Sequence, residues 1–467
     1  MEDFLPTKPD EPAKVQLKNH SVTPALVKTL PGFENLEVFS LIGSDDVLPQ
    51  SPAYVFGGSV DGAGYLKSQD GKGFTLLVNH EDNFAVSRIT FDETFKPVKG
   101  EYILNSDGGV WRLCSATLAT PKEHGFGPLY LTCGESGKES MTHALEPFAS
   151  PASAGIDRAK PALGMWSAEN ALPLPQEAYA GKTVIVIGDD DSEVDGGQVA
   201  LYVSTTGDLN NGKLYVLKRT DDNQRERDTK LGESYPVEFV EIDQAETGLN
   251  VAPKIDELKA LKFGRVEDLD YRKGGGANGR EIYFNVTGQA NTGFNADYSR
   301  TKYGRTYKLV LDDNDPTKGS LSVVLDGDER GSEAGTFQNP DNICVTNNFA
   351  YIQEDSNVYG DETHDSYVYQ YNLNTKELKV VLELDHRRQA PDAGKYGSAT
   401  AATSRFGSWE YGAMVDVSDL IGIPNTFSIC IQPHSWRGDR YKGVDGGSKR
   451  LAENQASQII LVKGIAK

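Results

Sequence analysis

Short β-forming runs, each closed by a turn signal, recur along almost the whole chain and limit its fold more than any other feature. From Glu37 onward, runs rich in Tyr, Val and Thr are broken by Gly, Asp and Asn, while helix-period stretches are few. Strands are expected at 55–58, 74–78, 87–91, 109–113, 128–132, 183–187, 198–204 and 213–218. They continue at 281–286, 305–311, 321–325, 342–346, 349–353, 367–371, 378–384, 413–417, 426–431 and 458–462. Asp61-Gly62 and Asp70-Gly71 read as turns. Short helices are expected at 24–30, 140–148 and 254–261, and 150–176 reads as an irregular insertion. Groups of about four strands return every 60 to 80 residues or so, the rhythm of β-propeller blades. The expected fold is therefore an all-β propeller of six blades with loop and short-helix insertions, and a β-sandwich pair is the competing arrangement. Residues 1–35 form an extended lead-in and 36–467 a single domain, with the last strand pairing to an N-terminal one.

Charge then narrows the function. A net charge of −21 and a pI near 4.8 disfavour nucleic-acid binding, because a phosphate backbone would be repelled outside a local cationic or metal-filled pocket. Such acidity suits calcium, or simply a soluble surface. Cys114, Cys133, Cys344 and Cys430 lie far apart without a CxxC pair, so neither a zinc ribbon nor a disulfide framework is indicated. No apolar run is long enough to span a bilayer. The opening Met1-Glu2-Asp3-Phe4-Leu5-Pro6 lacks the pattern of a signal peptide, so the chain reads as cytoplasmic or as one whose leader is already gone.

Several segments combine chemistry-bearing residues at strand ends. Arg265-Val266-Glu267-Asp268, followed by Asp270, joins an arginine fork to clustered carboxylates, which suits a metal-assisted phosphate site or else a self-paired surface turn. Asn79-His80-Glu81-Asp82 follows an apolar run. Cys114-Ser115, Thr120-Pro121 and Cys133-Gly134-Glu135 form a hairpin-like unit offering a soft thiolate and a hard carboxylate. Gly188 to Gly196 packs Asp189, Asp190, Asp191, Glu193 and Asp195 into one turn, a calcium-type loop or a solvated one. Pro340-Asp341, Glu354-Asp355, Trp409-Glu410 and Pro433-His434 repeat the pattern of strand then polar residue. No G-x-S-x-G elbow, Walker A loop, H-E-x-x-H helix or dinucleotide fingerprint occurs.

Taken in order, these segments resemble the PhoX family of alkaline phosphatases across about residues 75 to 435. The resemblance implies a six-bladed propeller with an axial iron and calcium cluster that hydrolyses phosphate monoesters. It implies Cys114 as a thiolate ligand of iron, Glu267, Asp268 and Asp341 as iron or calcium ligands, and Arg265 as the phosphate clamp. Glu81, Glu135, Glu193 and Asp355 are implied as calcium-side carboxylates, and Asn79 as a substrate-binding residue. It further implies a phosphorylated small-molecule substrate, a monomer, and a periplasmic or extracellular location. The chain departs from the family pattern at Lys122-Glu123, Gly134 and Ala116-Thr117, which marks a divergent member. A calcium-stabilised binding propeller without catalysis, and a calcium-dependent lactonase or phytase, are the rival readings.

Overall fold

The computed structural model describes residues 14–467 apart from 109–110, 333, 357–358 and 401–403. Antiparallel meanders build five sheets. The first runs through Val60–Lys67, Phe74–His80, Ala85–Phe91 and Pro97–Leu104, and the second through Leu113–Ala119, Leu129–Gly134 and Thr142–Leu145. A nine-stranded sheet follows. It joins the meander from Ala168–Pro173 to Ser234–Ile242 with the meander from Val266–Tyr271 to Lys318–Asp326, where Ser234–Glu238 pairs with Lys318–Ser322. The fourth sheet starts at Pro340–Val345. The fifth starts at Glu410–Asp416 and is completed by the pairing of Gln458–Lys463 with the N-terminal Glu37–Gly43.

The leading strands Val60–Lys67, Leu113–Ala119, Ala168–Pro173, Val266–Tyr271, Pro340–Val345 and Glu410–Asp416 touch one another in that order, and the last returns to the first. The sheets therefore radiate from a common axis in a propeller-like arrangement. Apolar residues on facing sheet surfaces fill the wedges between them, as where Tyr351, Val368 and Leu382 meet Tyr411, Ile429 and Ile460. Each such buried side chain contributes roughly 1.5–3 kcal/mol over its exposed state. Polar residues are thus displaced to the axis and the rim.

The structure corrects several expectations. Residues 24–30 are not helical: Val27–Thr29 is a strand on the outer edge of Leu378–Leu384, where its β-branched residues suit a pleated surface. Thr142–Leu145 is likewise a strand, fixed by pairing with Tyr130–Cys133, in place of a helix at 140–148. The supposed insertion at 150–176 contains the buried strand Ala168–Pro173. No strand covers 55–58, and Asp61-Gly62 lies inside Val60–Lys67 and not in a turn. The expected strand at 109–113 begins only at Leu113, and residues 109–110 lie outside the described part. The expected helix at 254–261 is present as Val251–Leu258.

Candidate functional site

One irregularity, repeated around the axis, builds the site. Each leading strand breaks register with its partner a residue or two after its start: between Val60 and Ala63, Leu113 and Ala116, Ala168 and Ala171, Val266 and Leu269, Pro340 and Ile343, and Tyr411 and Met414. A bulge of this kind re-aims side chains that a regular strand would send to alternate faces. Five of the six bulges carry a dipeptide of acid or thiol followed by a small, polar or acidic residue: Asp61-Gly62, Cys114-Ser115, Glu169-Asn170, Glu267-Asp268 and Asp341-Asn342. The first members, with Glu410 from the sixth strand, line one hollow of about 400 Å³ at one end of the axis. The antiparallel return strand ends beside the start of the leading strand, so residues just past it join the cluster: Glu81, Glu135, Asp355 and His434 line the hollow, and Asp190 sits with Glu135 and Glu267.

The second members sit at another level. Asn342 Nδ2 donates to Ser115 Oγ across the axis at 2.6 Å, and Asn170 Nδ2 donates to Asp268 Oδ1 at 2.6 Å. Asp268 also accepts from the backbone N–H of Ile343 at 3.1 Å. These bonds form a floor under the hollow.

Backbones must come unusually close for six strands to converge. A Cβ added at Gly62 would lie 2.5 Å from the Ala116 nitrogen and 2.6 Å from the Cys114 carbonyl oxygen, and one at Gly412 would lie 2.5 Å from the Val60 carbonyl oxygen. Gly62→Ala is therefore expected to cost about 1–3 kcal/mol through overpacking against the strand that carries Cys114. A denaturant midpoint equal to that of the parent protein would show that the strands have slack.

The electrostatics are those of a site short of positive charge. Ligand atoms of Asp61, Glu81 and Cys114 lie within 4.8 Å of one another, as do those of Cys114, Glu135 and Glu169, of Glu135, Asp190 and Glu267, and of Glu169, Glu267 and Asp341. Shared members make these one continuous cluster. Burial, then mutual repulsion, pushes Glu81 up to about 8. Burial, with Asp190 and Asp268 nearby, does the same to Glu169, although Ser115 donates to it from N at 3.1 Å and from Oγ at 2.7 Å. Asp61, Glu135, Glu267, Asp341 and Asp355 are all raised well above the carboxylate range, burial again being the first cause. Burial and then Glu135 push the Cys114 thiol up, and Cys114 Sγ donates to Glu135 Oε2 at 2.8 Å.

Two groups run the other way. Burial opposes ionisation of Asp190, but Arg265 outweighs it and holds that carboxylate below its usual range. His434, 3.3 Å from Glu410, is raised to about 9 because the Glu410 charge outweighs burial, and Glu410 is correspondingly lowered.

Arg265 closes one wall. Its Nε and Nη2 donate to Asp190 at 2.7 and 3.0 Å, Nη2 lies 3.2 Å from Glu267, and Nη1 lies 3.8 Å from Asp355. Its φ of 74° is in the left-handed region, an uncommon conformation for a side chain of this size and one that collects at functional sites. The turn is held because Gly264 N–H donates to the buried Glu226 at 3.0 Å.

Burial without enough donors is the signature of a cation cage. The Asp61 Oδ1 atom is buried with no hydrogen-bond partner, and the carboxylates gathered here greatly outnumber the cationic side chains. The donor set fits hard cations such as calcium, with Cys114 adding a softer ligand suited to iron.

Of the residues singled out in the sequence, the structure brings together Glu81, Cys114, Glu135, Arg265, Glu267, Asp341 and Asp355. Three lie elsewhere. Asp268 is the second member of its bulge and faces the floor, where backbone and Asn170 hold it. Asn79 is wholly buried behind Cys114, donating to the Cys114 carbonyl and to Thr132 Oγ1 at 2.7 Å, which a strand-interior position enforces. Glu193 has an exposed side chain and clusters with Asp191 and Asp195 around Lys138, away from the hollow. Asp61 and Glu169 escape composition alone, because Asp61-Gly62 has the residues of a turn and Glu169 lies in a stretch without strand periodicity, yet both sit in leading strands. The recurring dipeptide was the signal that could have found them.

No family model matches the chain, and no curated protein matches it. Among solved structures it is similar to Pseudomonas fluorescens PhoX in complex with vanadate, a transition state analogue. The TM-score is 0.60 and the identity 14%, over 96% of this chain and 99% of that one. Tricorn protease (TM-score 0.23, 7% identity, 86% of this chain and 33% of that one) and oligopeptidase B from Leishmania major (0.25, 8%, 83% and 55%) agree too loosely to carry an argument.

Proposed function

We propose that this chain, which has the fold of PhoX, is a divergent PhoX-like enzyme: a metal-dependent phosphoesterase that hydrolyses phosphate monoesters in the axial hollow. The observation that carries the reading is the convergence of Asp61, Glu81, Cys114, Glu135, Glu169, Glu267 and Asp341 with Arg265 on one cavity. On this reading the nine-stranded sheet counts as two blades of a six-bladed propeller in a single domain, and that domain reaches back into the expected lead-in, because Val27–Thr29 pairs with Leu378–Leu384 and Leu26 and Val27 are part of its core. Calcium would be held by the carboxylates, and iron by Cys114 with its neighbours Glu135 and Glu169. No helix among the described residues is long and apolar enough to cross a membrane. On this reading the protein is a monomer of the periplasm or cell exterior, as the resemblance in the sequence implies.

Bound cations in such a cage supply Lewis-acid charge against the phosphoryl oxygens. The chain's own residues do the rest. Arg265 offers a planar fork to two phosphate oxygens, with Asp190 orienting it. His434, which lines the same hollow and is charged beside Glu410, holds a proton at Nε2 for an oxygen leaving the phosphorus. The floor of Ser115, Asn170, Asp268 and Asn342 fixes the strands that aim the ligands.

The test is hydrolysis of an aryl phosphate by protein reconstituted with calcium and iron, compared with chelated protein. Release of phosphate that a chelator abolishes and metal restores is expected. Absence of hydrolysis at every metal loading, or hydrolysis indifferent to chelation, rejects the proposal. A second reading has one observation behind it: Arg265 is already engaged by Asp190, Glu267 and Asp355, as it would be in a cation-stabilised propeller without catalysis. Purified protein containing calcium but no transition metal, and inert toward phosphate esters, would favour that reading.

A further inference from the structure

We propose that the loop 188–196 carries a second hard-cation site, separate from the axial hollow, at which calcium competes with the tethered ammonium of Lys138. The loop leaves the buried strand Lys182–Asp189 and folds so that carboxylate oxygens of Asp191, Glu193 and Asp195 lie within 4.8 Å of one another. None of the three lines the axial hollow. Lys138 Nζ sits among them, 2.8 Å from Asp191 Oδ2 and 3.3 Å from Glu193 Oε2, and it donates to Asp195 Oδ1. An ammonium fills the place of a cation here, and the Arg300 guanidinium stands nearby on the loop's carbonyls, so monovalent side chains take the position a divalent ion would occupy among three carboxylates.

A separate observation shows that the lysine leaves the site incomplete. Asp195 is wholly buried, and its second oxygen, Oδ2, has no hydrogen-bond partner. A buried carboxylate oxygen without a donor is costly; Asp191 Oδ2, although close to the ammonium, is buried without a hydrogen bond as well, and a multivalent cation would satisfy both where the single ammonium does not. The loop is also preorganised. Arg300 donates to the carbonyls of Ser192 at 3.1 Å and Val194 at 3.2 Å, and Lys262 donates to Val194 at 3.3 Å. That holds the backbone, and the Glu193 N–H bond to Asp191 Oδ1 at 2.9 Å fixes one of the carboxylates as well. Calcium suits this geometry better than magnesium, because it accepts irregular carboxylate sets and gives up its water more readily. Lys138 has a long, flexible stem by which to withdraw. Asp190, which clamps Arg265, lies next to Asp191 in the chain, so filling this site would stiffen the support of the guanidinium.

The inference does not rest on the phosphoesterase reading, since its readout is calcium bound and not ester hydrolysed. Equilibrium dialysis against calcium chloride is expected to show one equivalent fewer on Asp195→Asn than on the parent chain. Glu193→Gln alters an exposed side chain and so keeps the fold; it is expected to weaken that same equivalent by about tenfold. Lys138→Met removes the competitor and is expected to tighten it by about tenfold or more. Unchanged stoichiometry and affinity in Glu193→Gln and Lys138→Met would overturn the proposal, whatever the stability of Asp195→Asn.

Discussion

Arg265→Ala is expected to lower kcat/KM for an aryl phosphate by about 10³-fold, the scale seen when a single charge-stabilising group is removed from a phosphoryl or acyl transfer site. The side chain stands at the wall of the hollow with Asp190, Glu267 and Asp355 around it. Its removal has a second consequence. Asp190 is held below the usual carboxylate range by this guanidinium, so the truncated protein keeps a buried acid without its partner, and stripping one member from a buried pair costs about 3–5 kcal/mol. Loss of activity must therefore be separated from loss of fold. Arg265→Lys does this: it retains the charge for Asp190 but cannot present a planar fork to two oxygens. The expected result is a lysine variant that melts near the parent protein yet remains at least about tenfold impaired, with an alanine variant worse in both respects. Full activity in a folded Arg265→Lys variant would remove the bidentate role, and full activity in Arg265→Ala would remove the phosphate clamp altogether.

Much of the fold was legible in the sequence because the strand signals are local. Glu281–Val286, Arg305–Leu311 and Leu378–Leu384 occupy the expected residues, since β-branched runs between turn residues have few other options. The elements that were missed sit where local preference and tertiary packing disagree. Asp-Gly at 61–62 is a turn signal by composition, but here glycine serves backbone approach and aspartate is a cluster member at a bulge. Val266–Tyr271 carries three acids in six residues and is a poor strand by propensity, yet it forms the axial strand between Ala168–Pro173 and Pro340–Val345.

The site was half legible for the same reason. Cys114, Arg265, Glu267 and Asp341 stand out by residue type, and the structure gathers them. Which of two adjacent acids faces the hollow is another matter: Glu267 does and Asp268 does not, because the bulge divides each dipeptide between cluster and floor. That division depends on pairing partners some twenty residues away along the chain, which composition cannot report. Glu193 failed in a simpler way, since an acid-rich loop looks alike whether it turns toward the axis or toward Lys138.

Metal removal should destabilise the protein more at alkaline than at mildly acidic pH, and the sign follows from the direction of the shifts. Glu81 and Glu169 rise from an ordinary 4.5 to about 8, and Asp61, Glu135, Glu267, Asp341 and Asp355 also rise, so without cations the folded state binds protons that the unfolded chain releases. Stability from such groups is complete below their unfolded values and is lost as pH climbs through the folded ones. His434, raised to about 9 by Glu410, acts in the same sense over its own interval. Asp190 and Glu410 are lowered and act oppositely, but their contribution is complete well before neutrality and does not change in the alkaline range. Chelated protein is therefore expected to lose several kcal/mol between about pH 6 and pH 9, a fall in Tm on the order of 5 °C for a chain of this length. Protein loaded with calcium and iron should change far less, because cations take the place of the protons. Paired melting curves at the two pH values provide the measurement. A gap between loaded and chelated protein that stays constant, or narrows toward alkaline pH, would mean that the axial carboxylates are not what the metals neutralise.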